Sequence, residues 1–136
     1  MSKEVFIDTS GWFSLLVKGD PYFELAHAVL SDYIRKKIRA VTTDYVIDET
    51  ATLLKSRKVF LQAKTLFELI DTSKYLQVEW VSEDIFSEAK HYFLKYHDHG
   101  YSFTDCISFI VMKKRKIAKV LTADTHFSQA GFTALL

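Results

Sequence analysis

One cysteine, one proline and four glycines occur among the 136 residues. A single thiol forms no internal disulfide and cannot furnish a Cys₂His₂ or Cys₄ zinc site, and such usage suits a reducing cytoplasm. So little glycine leaves no material for a Gly-rich phosphate loop, a collagenous repeat or a flexible linker. An excess of one charge sign is missing too: 18 Lys and Arg face 17 Asp and Glu, a formal net charge of +1. That balance argues for neither a basic nucleic-acid coat nor an acidic solvating chain. No apolar run approaches the roughly 20 residues of a membrane helix. The start, Met1-Ser2-Lys3-Glu4 and a short apolar run ending at Asp8, lacks the long apolar region and cleavage site of a signal peptide.

What is present is ordinary for a globular chain. Apolar residues make up 49% and charged residues 26%, enough for one domain over residues 1–136 with its own core. Val5-Phe6-Ile7 is a short, fully apolar run of the kind a buried parallel strand shows. The patterning predicts a helix over 10–17. A second helix starts with Asp20 at the N-cap and Pro21 at N1 and runs to Lys37, with Tyr22, Ala26, Val29 and Tyr33 on its inward stripe. Further strands are expected at 40–42, 76–81, 119–122 and 132–136, and further helices at 44–55, 58–72, 83–96 and 103–115. In the 83–96 helix, Ile85, Ala89, Tyr92 and Tyr96 face in and Asp84, Glu88, His91 and Lys95 face out. Residues 97–101 form a loop. Short apolar strands alternating with helices give an α/β fold, with a parallel sheet of about four to five strands covered on both faces.

In such a sheet, function collects beyond the carboxyl ends of the strands. Asp8 ends the first strand and Asp124 lies just past the fourth. Glu49 sits in the helix leaving the second strand and Asp105 in the first turn of the helix feeding the fourth. Glu49 has Tyr45, Val46 and Leu53 at spacings of three and four, so it interrupts an apolar stripe. Its neighbour Asp48 has Asp44, Thr52 and Lys55, a solvated face. Asp105 likewise heads a stripe with Ser108, Phe109 and Met112, though a first-turn Asp also complements the helix dipole. Two carboxylates about 4 Å apart repel by roughly 4 kcal/mol at an effective dielectric near 20. A gathering of them persists only with protons or a cation among them. All-oxygen ligation favours Mg²⁺ or Mn²⁺, and such centres commonly serve phosphodiester hydrolysis. Against this stands chance, since 17 acids leave room for four to fall near strand ends. Spacing alone leaves both readings open.

At these same residues the sequence resembles the PIN-domain ribonucleases. Val5-Phe6-Ile7-Asp8-Thr9-Ser10 is similar to their opening motif. Thr42-Thr43-Asp44-Tyr45-Val46-Ile47-Asp48-Glu49-Thr50 resembles the second, Ser102-Phe103-Thr104-Asp105-Cys106 the third, and Leu121-Thr122-Ala123-Asp124-Thr125-His126-Phe127 the fourth. The motifs keep the family's order, span nearly the whole chain and select the same four acids. The resemblance implies a three-layer α/β/α fold and metal-dependent cleavage of RNA. Asp8, Glu49, Asp105 and Asp124 would be both catalytic and ligands to Mg²⁺ or Mn²⁺, with Ser10, Thr104 and His126 in support. Many small members are VapC-type toxins that form homodimers, act in the cytoplasm and are silenced by an antitoxin protein. Those partners, with RNA as substrate and no membrane, are what the resemblance implies here. Asp44 stands where relatives often carry Asn.

Other residues have plainer readings beside functional ones. His126 could contact a phosphate or move a proton, with a loop residue as the simpler reading. His97 and His99 lack the further ligands a zinc site needs. His27 and His91 lie on polar helix faces. Cys106 reads as a small buried filler. Arg35-Lys36-Lys37 and Lys113-Lys114-Arg115-Lys116 either complement helix dipoles or form a phosphate rail for RNA. With the four site acids set aside, 18 basic residues face 13 acidic ones, which gives the rail some weight. Of the aromatics, Trp12, Phe13, Phe60 and Phe67 are candidates for a subunit contact. Two other functions stay in view. One is a PIN-like module that binds RNA or protein without cutting. The other is a phosphatase or phospho-acceptor domain using Asp8, which lacks the usual Asp-x-Asp because Ser10 stands second after it.

Overall fold

The computed structural model describes residues 3–136; of the amino-terminal reading above, Met1 and Ser2 lie outside the described residues. β1 (Glu4–Ile7) leads through Asp8 into α1 (Thr9–Leu16), and α2 (Phe23–Arg35) returns the chain to β2 (Arg39–Thr43). Helices α3 (Asp44–Ser56) and α4 (Phe60–Thr72) lead to β3 (Leu76–Glu79). After these come α5 (Glu83–Lys95), α6 (Phe103–Arg115), β4 (Lys119–Leu121), α7 (Thr125–Gln129) and β5 (Thr133–Ala134). All neighbouring strands are parallel, in the order β3-β2-β1-β4-β5. Helices cover both faces and make a three-layer α/β/α domain. Val5, Phe6 and Ile7 are fully buried, as a strand covered on both faces requires.

The chain builds outward from β1 to β2 and β3, then crosses back to place β4 and β5 on the other side. The order therefore reverses between β1 and β4, and a crevice opens beyond their carboxyl ends. Asp8 leaves β1 and Asp124 follows β4, so topology sets two of the four acids on the lips of that crevice.

The departures from the sequence reading have local causes. α2 starts at Phe23 rather than after Asp20, because the Asp20 carboxylate accepts from the Tyr22 N–H (2.9 Å) and the Ser14 hydroxyl (2.8 Å). It pins the turn to α1 instead of capping a helix. On the α2 stripe only Ala26 is buried; Val29 and Tyr33 are half-buried and Tyr22 is exposed. The α5 faces are as expected, with Ile85 and Ala89 buried and Asp84, Glu88, His91 and Lys95 exposed. β3 stops at Glu79, and two residues on the Val81 N–H is taken by Asp44 Oδ1 (3.0 Å). The fifth strand keeps only Thr133–Ala134, and α7 is a helix the periodicity did not show.

Trp12 is buried, its Nε1–H donating to Thr42 Oγ1 (3.2 Å), so it is core and offers no subunit contact. Phe13 is half-buried, while Phe60 and Phe67 are exposed. Arg115 ties α6 to the sheet through Glu4 of β1 and Gln77 and Glu79 of β3. No helix among the described residues is long and apolar enough to cross a membrane.

Candidate active site

Asp8, Glu49, Asp105 and Asp124 all line one cleft of about 310 Å³ at the carboxyl end of the sheet. Each arrives by a different route. Asp8 occupies the N-cap position of α1 but makes no capping bond. It is buried (3% exposed). Its Oδ2 accepts from the Thr122 hydroxyl (3.1 Å), and its Oδ1 is buried with no hydrogen-bond partner among the described residues. Glu49 projects from α3, half-buried, and accepts from the Thr9 hydroxyl, while Asp48 beside it is exposed. The helix period had separated these two acids correctly.

Asp105 is fixed by a capping box. Its N–H donates to Ser102 Oγ (3.0 Å), and the Ser102 N–H donates to its Oδ2 (3.1 Å). His126 Nδ1 lies 3.0 Å from the same Oδ2, leaving Oδ1 available. Asp124 caps α7, accepting from the His126 N–H (2.9 Å), and lies 3.4 Å from His126 Nδ1. Asp105, Asp124 and His126 together offer three donor atoms within 4.8 Å of one another.

Thr122, at the end of the strand expected over 119–122, joins the two lips of the crevice, a role its sequence position does not show. Its hydroxyl donates to Asp8, meets the Ser10 hydroxyl at 2.8 Å and accepts from the Asp124 N–H at 3.0 Å. Ser10 Oγ in turn accepts from the Ala123 N–H (2.9 Å), so it bridges the start of α1 and the turn after β4. His126 is not the loop residue of the simpler reading, since it sits in α7 against Asp105. Thr104 only offers its carbonyl to Ser108 (3.0 Å) and does not line the cleft.

The electrostatics are those of a site short of positive charge. Burial, reinforced by the charges of Asp105 and Glu49, raises Asp8 to about 7. Burial also raises Asp105, with Asp124 adding to the effect and the bonds from Ser102 and His126 opposing it. A divalent cation fits this arrangement. The buried Asp8 Oδ1 lacks a partner among the described residues, the donors are hard oxygens with one imidazole, and the cation would remove the repulsion. Adding Mg²⁺ or Mn²⁺ at a hundredfold excess over its dissociation constant should stabilise the protein by about 2.7 kcal/mol, raising Tm on the order of 10 °C. Thermal scans with and without metal measure this directly, and superimposable scans would count against a metal at this cleft.

The remaining candidates lie elsewhere. His97 and His99 are exposed, and His99 faces Asp98 (3.1 Å). His27 Nε2 meets the Leu15 carbonyl oxygen (2.8 Å). Cys106 is buried, and burial pushes its thiol up to about 11, so it presents no thiolate. A larger groove of about 820 Å³ opens at the opposite, amino end of the sheet, lined by Lys3, Lys37, Arg39, Lys74, Arg115 and Lys116. Both basic runs end helices that feed β2 and β4, so they too belong to that end. Arg35 and Lys36 pair with Asp32, Lys114 pairs with Glu88, and Lys113 lies over the Tyr92 ring.

The sequence model of the PIN domain matches residues 5–133. The chain belongs to the PIN-domain family. Among PIN relatives, the 23S rRNA-specific endonuclease VapC20 of Mycobacterium tuberculosis is 33% identical over 128 residues, which cover 94% of this chain and 95% of VapC20. A VapC ribonuclease of Archaeoglobus fulgidus is 29% identical over 124 residues, covering 90% of this chain and 78% of its own length. The crystal structure of M. tuberculosis VapC20, described as a sarcin-ricin loop cleaving toxin, superimposes with a TM-score of 0.85 at 32% identity, covering 95% of this chain and 96% of that one. The strand order of this PIN domain also differs from the 2-1-3-4-5 order of flavodoxin-like phospho-acceptor domains.

Proposed function

We propose that this PIN-domain protein is a divalent-metal-dependent endoribonuclease, the toxin of a toxin–antitoxin pair. The observation that carries the proposal is the convergence of four acids from the β1–α1 junction, α3, α6 and the β4–α7 junction on one cleft, with a buried Asp8 oxygen left without a partner among the described residues. Asp8, Glu49, Asp105 and Asp124 would hold Mg²⁺ or Mn²⁺. When bound, the cation activates a water and stabilises negative charge on the scissile phosphate.

The chain's own residues prepare the site. Thr122, backed by Ser10, fixes the rotamer of Asp8 and links it to the turn that presents Asp124. His126 and Ser102 hold Asp105 Oδ2, so Asp105 is aimed without using both oxygens. Thr9 orients Glu49 across the cleft. Such supporting bonds typically matter 10–100-fold in metal affinity or activity. The near full-length similarity to enzymes named as RNA-cutting VapC proteins supports RNA as the substrate class. An antitoxin protein as partner, assembly as a homodimer and action in the cytoplasm complete the proposal.

Glu49→Gln, Asp105→Asn and Asp124→Asn should each lower RNA cleavage by at least about 100-fold, since each removes a ligand charge where a supporting contact alone is worth 10–100-fold. Circular dichroism should show the fold unchanged. Retained cleavage in any two of them overturns the assignment. An intact wild type that binds RNA in the presence of metal and never cuts it would mark a binding module instead.

A further inference from the structure

A second pocket of about 260 Å³ adjoins the acid cleft and shares two of its walls, Ser10 and Leu53. Phe13, Tyr22, Asp20 and Arg57 are among its other walls. Arg57 is the residue that ends α3, and it follows Glu49 and Leu53 at spacings of four. The three therefore share one helix face, with Arg57 about 12 Å along the axis from Glu49.

Its guanidinium lies 5.8 Å from the centroid of the Phe13 ring and has no ion pair among the described residues. The other charged wall, Asp20, accepts from the Ser14 hydroxyl and the Tyr22 N–H through Oδ2 alone. An exposed cation on an aromatic face, one step from a cleft that itself repels phosphate, is a natural counter-charge for a polyanion. The pocket is smaller than the about 300–1,000 Å³ of drug-sized sites, a size for one base and not for a folded segment. Phe13 and Tyr22 supply ring faces on which a base can stack. Asp20 offers an acceptor suited to a base amine and not to phosphate.

We propose that this pocket is a nucleotide subsite of the nuclease. One unpaired base of the RNA flanking the scissile bond stacks against Tyr22 and Phe13, and Arg57 holds an adjacent phosphate. The subsite rests on the nuclease reading above and adds a requirement for single-stranded RNA beside the cut. It also moves the phosphate contact from the basic runs, at the far end of the sheet, to a residue on the same helix face as Glu49.

The test uses the full chain carrying Asp8→Asn, with Mg²⁺ and a fluorescein-labelled twelve-nucleotide single-stranded RNA, titrated at several salt concentrations. Arg57→Gln should flatten the slope of log K against log salt by about 0.7, the value of one single-strand phosphate contact. Tyr22→Ala should weaken binding about 5- to 150-fold, the range for one stacked base, with the slope unchanged. Replacing one base of the RNA by an abasic site should cost wild-type Tyr22 a similar factor and cost Tyr22→Ala nothing further. Both side chains are exposed, so neither substitution disturbs the core. Lys37→Gln, in the groove at the amino end of the sheet, should leave affinity unaltered. In protein with Asp8 intact, Arg57→Gln should raise KM and leave kcat nearly unchanged. Unaltered affinity and slope in both variants, with wild type still cutting RNA, overturns the subsite and leaves the nuclease standing. A wild type that neither binds nor cuts RNA overturns both.

Discussion

Replacing Asp8 by Asn should abolish RNA cleavage and, in the same protein, raise the stability of the metal-free form at about pH 8. Both effects come from one carboxyl group. Burial holds it at about 7 in the fold against an ordinary 3.8. Between those two values the folded state keeps a proton that the unfolded chain has released. Stability then falls as pH rises through the interval and levels off above the folded value. The full effect of a shift of that size is on the order of 4 kcal/mol. Asn has no proton to lose, so this pH dependence disappears, and its carbonyl oxygen still accepts from Thr122. Urea unfolding in EDTA should show wild type weaker at about pH 8 than at about pH 5, and Asp8→Asn nearly level between them. A variant less stable than wild type at the higher pH would mean that Asp8 is comfortably ionised in the fold. The charge that destabilises the empty site is the one proposed to hold the metal, which is why stability and activity should move in opposite directions.

Gly11→Ala should be the most damaging single-methyl change in the protein. A Cβ at Gly11 would stand 2.0 Å from the carbonyl oxygen of Leu121 and 2.8 Å from its carbon. Both are backbone atoms at the end of β4, so no rotamer relieves the clash and α1 must move off the strand. Overpacking of this kind costs about 1–3 kcal/mol even where side chains can give way. With backbone on one side, a loss of about 3 kcal/mol and a Tm lower by on the order of 10 °C are expected. The displaced helix carries Ser10, so the contact to Thr122 loosens and cleavage should fall even well below the new Tm. Gly19→Ala makes a matched control, because nothing lies within 4 Å of that position. Equal thermal midpoints for Gly11→Ala and wild type would show that α1 and β4 are not in such close approach.

The fold was largely legible because its signals are local. Val5-Phe6-Ile7 reads as a strand buried on both faces, and the 3.6-residue period tells Glu49 from Asp48 before any coordinates. The Ser102–Asp105 capping box is likewise written in three-residue spacing. Features that depend on register were not legible. Thr122 meets Asp8 and Ser10 only because β4 pairs with β1 so that Leu121 stands opposite Ile7. His126 hides in a five-residue helix, too short to display a helical period. Trp12 looks available because Trp12, Phe13, Leu15 and Leu16 give α1 a broad apolar arc, and only packing decides which part of it is covered. The basic runs drew notice as runs, yet their place was readable. Each immediately precedes a parallel strand, hence lies at the sheet's amino end, away from the end where such sheets bind ligands. Arg57 lies in a shorter basic stretch, Lys55-Ser56-Arg57-Lys58, and its significance comes from the helix face it shares with Glu49.

The most direct measurement is to incubate wild type and Asp8→Asn with total cellular RNA and Mg²⁺ or Mn²⁺, with and without EDTA, and map the new RNA ends. A nuclease built on these four acids should give discrete internal cuts with wild type alone, all lost in EDTA. Cuts that persist in EDTA, or that Asp8→Asn makes equally well, would contradict it.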